Sequence, residues 1–461
     1  MTPPPPPSPD PALDPADQSF SGPGELGRAI PPRLAWRVAS TVLALALAAL
    51  LGPGFARSLR PSEGTVLDFY KEWSSVQNLR TGRPVYASQR DTVLEYLDVR
   101  LPEGDEFLFS EEYNTHPPAA VLLAIPFGRL SYSDAQFAWN LVGLAAFFTS
   151  LWLIVRELKI RVSAWGVAIF LSLLLVCDPF RQTINQGQVN FVLLLLIVLA
   201  WIADRRGRAW GAGLCVAAAA CVKLYPALFF FLFAARRDWR TLAWGIGGGL
   251  GITLFTAAVL GPQAYLDYLG KPLSALQPFT NEWGNVSLLA FWQRLFGPPR
   301  ENLVLLFESE RLGKLLAALS AGALLAVLGR VAWRAETRDE RDFAFAATAT
   351  AMLLLTPIAW QHYFVLLSLP LLLFATRVDR GAPAWLLLGG IAAVLWCSIR
   401  LTWVAAGLTA GDGSVVSAAY PIHSLTALSL QFYAVLGVFV MLVFVPGDRR
   451  TAAPDASGRN P

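Results

Sequence analysis

Apolar residues cluster along the chain in long runs that contain few charges, and the polar loops between these runs are rich in arginine. A run of about 20 mostly apolar residues is long enough to cross a bilayer as a helix. The pattern therefore predicts an all-α integral membrane protein with about twelve transmembrane helices. The predicted segments lie at 38–56, 134–156, 163–178, 188–203, 209–222, 225–235, 241–261, 313–333, 343–357, 361–377, 384–402 and 425–445.

The positive residues of the short loops orient these segments, because loops rich in lysine and arginine stay on the cytoplasmic side. This rule places both chain ends in the cytoplasm and leaves two large loops, 57–134 and 262–312, on the outer side. We expect the first outer loop to carry interfacial helices, one of them at 117–130, where the apolar stretch is too short to span. The arginine-rich loops are 156–161, 204–208, 236–240, 330–341, 377–380 and 449–450.

Two apolar arms, 209–222 and 225–235, are each well short of a full crossing. Since arginines flank this hairpin on both sides, Lys223 is expected at its turn, deep in the membrane or near the outer surface. An ionisable group there is costly unless it lines an aqueous cavity or meets an anion. The alternative is a lysine that extends to the outer headgroups.

Composition agrees with a polytopic membrane protein. Of the 461 residues, 55% are hydrophobic and 15% are charged, whereas soluble domains carry about 25% charged residues. The net charge of +4 is too small and too dispersed to indicate nucleic-acid binding. The cysteines lie in apolar runs without CxxC spacing, so we expect neither a disulfide framework nor a zinc site.

Composition also divides the chain. Residues 1–33 are dominated by Pro, Ser, Asp and Gly and are predicted to form a disordered cytoplasmic tail. Residues 34–446 form the predicted membrane domain. A second cytoplasmic tail is expected at 447–461.

The stretch 65–86, TVLDFYKEWSSVQNLRTGRPVY, carries the first candidate for chemistry, Asp68. A carboxylate a few residues beyond a membrane helix is well placed for acid or base chemistry at the water–lipid boundary. The alternative is a solvated helix N-cap. Further polar residues gather on the same predicted outer side, namely His116, Arg181, Asn185, Gln188, Asn281, Asn285, His362 and His423.

Seven short motifs follow one another in an order that resembles a known family. The resemblance covers roughly residues 60–375. The chain resembles the polyprenyl-phosphate-dependent hexosyltransferases of glycosyltransferase family 87, which include bacterial alpha-mannosyltransferases and have the GT-C membrane fold. The motifs are Asp68 with Phe69 and Tyr70, LRTGRPVY, YNTHPPAAVLLAIPFGRL, NQGQVN, VKLYPALFFFL, NEWGNVS and TPIAWQHY.

The resemblance implies a role for several positions. It implies that Asp68 is the catalytic base, or activates the acceptor hydroxyl, and that His362 matches the histidine of an SPxxWxHY-like segment. Lys223 and Gln188 match the family's K-x-x-P and GQxN segments, and His116 stands where the family often has tyrosine. No second carboxylate lies within two residues of Asp68, so we predict no cofactor, although a divalent metal is left open.

Transfer from a lipid-linked phosphosugar needs a base for the acceptor proton and cations or donors for the leaving phosphate. An apolar groove would hold the polyprenyl chain. The alternatives are that Arg181 only marks an interface, that Gln188 and Asn190 only join helices, and that His362 is a packed interfacial residue. The predicted site comprises Asp68 and His362 as catalytic residues, Lys223, Arg181 and Arg294 as donor-phosphate ligands, and Tyr70, His116, Gln188, Asn190, Tyr225, Asn285, Trp360 and Tyr363 as substrate-binding residues.

The sequence thus predicts a membrane hexosyltransferase that moves mannose from a polyprenyl-phosphate donor to a lipid or glycan acceptor. The predicted site lies at the outer face of the cytoplasmic membrane, among membrane lipids and without nucleic acid. Direct displacement would invert the anomeric carbon. The alternatives are a lipid-linked-sugar flippase, which would show repeat symmetry and polar residues near the midplane, and another GT-C activity such as arabinofuranosyl transfer.

Overall fold

The computed structural model describes residues 32–62, 65–99, 113–270, 279–377 and 382–444. Within these ranges the chain is helical, and extended pairings are limited to isolated β-bridges. The all-α prediction is therefore confirmed for this part of the chain. The predicted cytoplasmic tails lie outside the described residues, except for the start of the first helix.

The first half of the chain alternates long helices with short ones. Its helices are α1 (Pro32–Ser58), α2 (Tyr70–Arg80), α3 (Gln89–Leu97), α4 (Pro118–Ala124), α5 (Tyr132–Glu157), α6 (Ala164–Leu174), α7 (Asp178–Asn185), α8 (Asn190–Arg205), α9 (Ala209–Val222) and α10 (Leu228–Ala235).

The second half contains the remaining helices and a 3₁₀ segment, Gln361–Leu367. Its α-helices are α11 (Trp239–Leu260), α12 (Gln263–Gly270), α13 (Leu288–Phe296), α14 (Glu310–Arg334), α15 (Arg338–Leu355), α16 (Ser368–Arg377), α17 (Ala382–Trp396), α18 (Ile399–Ala405), α19 (Pro421–Leu425) and α20 (Leu430–Phe444).

Helices occur at every predicted membrane segment, but fewer of them meet the requirements for a full crossing. Among the described residues, 5 spans are long and apolar enough, in α1, α5, α11, α14 and the α19–α20 stretch, or up to 7 if two bent pairs count as one span each. The exact number of twelve crossings and the side on which the 57–134 loop lies stay predictions.

Sharp bends occur at two places, and the second corrects the sequence-based assignment. The first lies at the end of the predicted 163–178 segment, where α6 bends by 63° into α7, whereas the second lies inside the predicted 384–402 segment, which bends by 91° between α17 and α18. Gln361 supplies hydrogen-bond partners for the backbone at the second bend. Its side chain accepts from the Ile399 N–H at 3.2 Å and donates to the Cys397 carbonyl at 2.5 Å. Backbone groups released by a broken helix need such partners inside a membrane.

The centre of the bundle is formed by α8 and α15, whose side chains are mostly buried. The α15 sequence from Phe343 to Leu354 alternates alanine and threonine before its leucines, and small side chains allow neighbouring helices to approach closely. A similar approach occurs where α9 crosses α11. A Cβ on Gly213 would lie 2.5 Å from the Thr241 carbonyl oxygen, so only glycine fits there.

A buried ion pair joins the ends of α8 and α10. Arg236 donates to the two carboxylate oxygens of Asp204 at 2.8 and 3.0 Å, and both side chains are almost fully buried. This bidentate contact closes the base of the α9–α10 hairpin, and Lys223 lies at the opposite end of that hairpin. The pair therefore helps to position the lysine.

Residues 283–304 of the predicted second outer loop pack against the 406–428 segment. Trp283 and Leu303 form a small apolar cluster with Leu408, Ala419 and Leu428. The backbone of this region is also paired: the Val304 N–H donates to the Ala419 carbonyl at 2.8 Å.

Candidate active site

Asp68 lies in the connection between α1 and α2, where the backbone is held against the α7–α8 turn. The neighbouring Phe69 N–H donates to the Gln186 carbonyl at 3.0 Å, and the Phe69 ring stacks on Trp139 with centroids 5.5 Å apart. The alternative of Asp68 as an N-cap is wrong. Helix α2 has Phe69 at its N-cap position and no side-chain capping hydrogen bond.

The Asp68 carboxylate belongs to a chain of polar contacts. Lys71 Nζ lies 3.2 Å from Asp68 Oδ1, and the Gln188 side-chain amide donates to Asp68 Oδ2. Gln188 in turn accepts from Lys223 Nζ at 3.2 Å through its amide oxygen. Gln188 thus links the neighbouring Asp68–Lys71 pair to Lys223, which comes from a distant part of the sequence.

The charge state of Asp68 follows from its surroundings. Burial by itself raises the pKa of the Asp68 carboxyl, but the neighbouring Lys71 ammonium lowers this pKa. The net pKa lies well below the usual range of an aspartate. The carboxylate therefore stays ionised, and it still exposes 31% of its side chain.

Lys223 is enclosed by aromatic rings at the end of α9. Its side chain is buried, with Nζ 4.2 Å from the ring centroid of Tyr363 and 5.9 Å from that of Tyr225. The Tyr225 hydroxyl donates to Asn190 Oδ1 at 3.4 Å. Burial between these rings contradicts the alternative in which the lysine extends to the headgroups.

His362 lies on the 3₁₀ segment beside this aromatic enclosure. Its backbone carbonyl accepts hydrogen bonds from Asn190 Nδ2 at 3.2 Å and Thr183 Oγ1 at 3.1 Å, so its position is fixed by α7 and α8. Its Nε2 atom is buried without a hydrogen-bond partner among the described residues. A buried polar atom in this state is available to a ligand.

Other predicted site residues make contacts of a structural kind. Arg294 is fully buried and donates to the Asn285 carbonyl at 2.6 Å and to Ser429 Oγ at 3.0 Å. The Asn285 side chain joins two loops, since it donates to the Pro357 carbonyl at 3.0 Å and accepts from the Ala359 N–H at 3.0 Å. The predicted ligand roles of both residues have no support in these contacts.

Three further predicted residues lie apart from the Asp68–Gln188–Lys223 chain of contacts. Arg181 is exposed on α7. The buried Tyr70 hydroxyl donates to Thr92 at 3.1 Å, and Trp360 packs edge-on against Phe279 at 5.9 Å. The substrate contacts assigned to them stay predictions.

Comparison with known proteins identifies the family. The model of glycosyltransferase family 87 matches residues 114–357, more than half of the chain. The chain belongs to glycosyltransferase family 87. The match contains Gln188 and Lys223, whereas Asp68 precedes it and His362 follows it.

Several known proteins are similar to this family 87 chain over part or most of their own length. A polyprenol-phosphate-mannose-dependent alpha-(1-2)-phosphatidylinositol pentamannoside mannosyltransferase of Mycobacterium tuberculosis is 27% identical over 271 residues, covering 56% of this chain and 57% of the relative. A phosphatidylinositol mannoside mannosyltransferase of Mycolicibacterium smegmatis, also polyprenol-phosphate-mannose-dependent and alpha-(1-2), is 24% identical over 81% of this chain and 84% of the relative. An alpha-(1->3)-arabinofuranosyltransferase of Corynebacterium glutamicum is 24% identical over 77% and 79%.

Two residues of the candidate site, Lys71 and Glu72, were not predicted from the sequence. Lys71 contacts Asp68, and Glu72 lines one small cavity together with Asp68, His116 and Gln188. Glu72 lies four positions after Asp68, outside the two-residue spacing of a paired acidic motif. The signal in the sequence for Glu72 is this i,i+4 spacing, which corresponds to about one helical turn. Within the described ranges no group of three His, Cys, Asp or Glu side chains is arranged to hold a metal ion.

Gly187 positions the glutamine that follows it, which yields a testable prediction. Its φ of +66° favours glycine, and a Cβ would lie 2.6 Å from Phe69 Cβ. We expect Gly187→Ala to lower the free energy of unfolding by about 2–3 kcal/mol through left-handed strain and overpacking. Displacement of Gln188 should also reduce transfer activity by about 10-fold or more. Thermal unfolding in detergent and a transfer assay measure the two effects.

Gly207→Ala is the matched control for this substitution. Gly207 has a φ of +64°, but no atom lies within 4 Å of its added Cβ. This variant should carry only the backbone strain of about 1 kcal/mol and keep full activity. Equal behaviour of the two variants would show that the contact with Phe69 is unimportant.

Proposed function

We propose that the protein is a membrane hexosyltransferase that transfers mannose from a polyprenyl-phosphate donor to a lipid or glycan acceptor, with inversion and with Asp68 as the general base. The observation that carries the proposal is an ionised carboxylate joined through Gln188 to a buried lysine. Family 87 membership and the names of the mannosyltransferase relatives support the donor class.

The proposed chemistry is a direct displacement at the anomeric carbon. Asp68 accepts the proton of the acceptor hydroxyl while that oxygen forms a bond to C1 of the sugar. The C1–O bond to the phosphate breaks, and its electron pair leaves with the polyprenyl phosphate. Attack from the side opposite the phosphate inverts the configuration at C1.

Three groups are placed to stabilise the departing phosphate. Lys223 supplies a positive charge from a buried position, where electrostatic interactions are stronger than in water. His362 offers a buried Nε2 atom, and Lys71 lies within reach of Asp68. Arg181 and Arg294 are left out of this donor site, because one is exposed and the other donates to backbone carbonyls.

The low pKa of Asp68 requires a further step in the proposal. A carboxylate whose pKa is far below neutrality is a weak base, because basicity follows pKa. A bound donor phosphate would draw the Lys71 ammonium away from Asp68 and add negative charge nearby. Both changes raise the pKa of the carboxyl, so donor binding would strengthen the base.

The remaining features of the proposal concern the membrane. The positive-inside pattern supports a site at the outer face of the cytoplasmic membrane with both termini inside. Apolar faces such as that of α1, whose side chains are mostly exposed, would contact membrane lipids. The polyprenyl chain of the donor would lie along such helices.

Arabinofuranosyl transfer is the second candidate function. It is favoured by the likeness to the arabinofuranosyltransferase of Corynebacterium glutamicum, which extends over 77% of this chain. The proposed displacement is the same for a pentofuranose, since the roles proposed for Asp68 and Lys223 concern the acceptor proton and the donor phosphate. The donor must therefore be identified by experiment.

Purified protein in lipid vesicles, supplied with a mannose-rich lipid extract as acceptor, should transfer mannose from polyprenyl-phosphate mannose. GDP-mannose and polyprenyl-phosphate arabinofuranose should give no product. We expect transfer to survive EDTA, because Lys71, Lys223 and His362 supply the electrostatic stabilisation of the phosphate. Product from the arabinofuranose donor alone would establish the second candidate, and movement of labelled lipid without transfer would establish a flippase.

A further inference from the structure

A carboxylate–imidazole pair shares the cavity with Asp68 and has no part in the proposed displacement. Glu72 Oε1 contacts His116 Nδ1, and each side chain is 12% exposed. Both residues line the cavity that also contains Asp68 and Gln188. The cavity therefore presents two separate polar groups, the Asp68 carboxylate and the Glu72–His116 pair.

The pair is held rigidly by its neighbours. The His116 N–H donates to Asn114 Oδ1 at 2.9 Å, and the buried Tyr86 hydroxyl donates to the His116 carbonyl at 2.6 Å. Asn114 is itself bound to α2, because its Nδ2 donates to the Lys71 carbonyl and to Ser75 Oγ, both at 3.1 Å. These bonds fix the histidine segment on the helix that carries Glu72.

The contact with Glu72 also determines what the imidazole can do. In the tautomer in which Nδ1–H donates to the Glu72 carboxylate, Nε2 carries the lone pair of the ring and can accept a hydrogen bond. The two oxygens of Asp68 already accept from Lys71 and Gln188. A substrate with a single hydroxyl would use only Asp68, whereas a polyol could engage both groups at once.

We propose that His116, oriented by Glu72, binds a second hydroxyl of the acceptor, adjacent to the hydroxyl that attacks the donor. This inference rests on the proposed transferase function and adds the acceptor class, a sugar or polyol with neighbouring hydroxyls. His116 then determines acceptor affinity and orientation, while Asp68 takes the proton. The donor phosphate contacts do not involve it.

The test uses the full chain in lipid vesicles with polyprenyl-phosphate mannose and, as acceptors, octyl α-mannoside and its monodeoxy analogues. With the wild-type protein, one analogue should give no product because it lacks the attacking hydroxyl. A second analogue should show a KM raised by about 10-fold, which corresponds to one lost hydrogen bond. In His116→Phe the KM for octyl α-mannoside should rise by about 10-fold, and this second penalty should disappear.

Two further measurements separate binding from a structural role. His116→Gln, whose amide oxygen can accept a hydrogen bond, should keep most of the penalty, and the donor KM should be unchanged in both variants. A penalty that persists in His116→Phe would overturn the inference, as would equal loss of kcat and of thermal stability in both variants. No transfer by the wild-type chain to octyl α-mannoside or to the lipid extract would instead overturn the proposed function, and the acceptor role with it.

Discussion

Asp68→Asn is expected to lower kcat for mannosyl transfer by about 10³-fold, because the asparagine amide cannot take the acceptor proton. The side chain keeps its size, and its amide oxygen can still accept from Gln188, so the fold should be preserved. Because Lys71 loses its carboxylate partner, the donor KM should stay the same or fall. The measurement is single-turnover transfer in lipid vesicles at saturating donor.

Asp91→Asn is the matched control for this prediction. Asp91 is exposed in the first turn of α3, within the same predicted outer loop, and contributes nothing to the Asp68 cavity. It should retain full activity. Near-normal transfer by Asp68→Asn would remove this residue from the mechanism, and a comparable loss in Asp91→Asn would indicate a general effect of charge in the loop.

Asp204→Asn is expected to destabilise the folded protein by about 3–5 kcal/mol, because it leaves the buried Arg236 guanidinium without a counter-charge. The loss should appear as a lower unfolding midpoint in detergent. Since the pair closes the α9–α10 hairpin, donor binding through Lys223 should weaken as well.

A second substitution and a surface pair test this explanation. Asp204→Asn combined with Arg236→Leu should recover part of the loss, since no unpaired charge then remains buried. Glu310→Gln breaks an exposed i,i+4 pair with Lys314 and should cost less than about 0.5 kcal/mol. If the double variant is less stable than Asp204→Asn alone, unpaired charge is not the cause.

The helices and several site residues could be predicted because their signals are local. A helix occurs at each predicted apolar segment, and the arms beside Lys223 form two short helices, the second of which follows a 3₁₀ turn at Tyr225–Ala227. Asp68, Gln188 and Lys223, which the motifs singled out, are brought into contact by the fold.

Other features depend on contacts that local patterns do not encode. The break between α17 and α18 contains no proline, and its released backbone groups bond to Gln361, a residue 36 positions away from Cys397. Arg294 resembles a phosphate ligand in the sequence, but its guanidinium is used by carbonyls of its own loop and by Ser429. The contact between Glu72 and His116 joins residues that are 44 positions apart.

The sequence by itself determined the all-α architecture, the positions of the apolar helical segments and the family, because hydrophobic runs and short motifs act over neighbouring residues. Only the tertiary structure decided which polar residues share the cavity with Asp68 and which arginine is occupied elsewhere. The physical reason is that burying a polar group requires a partner, and that partner comes from whichever helix packs against it.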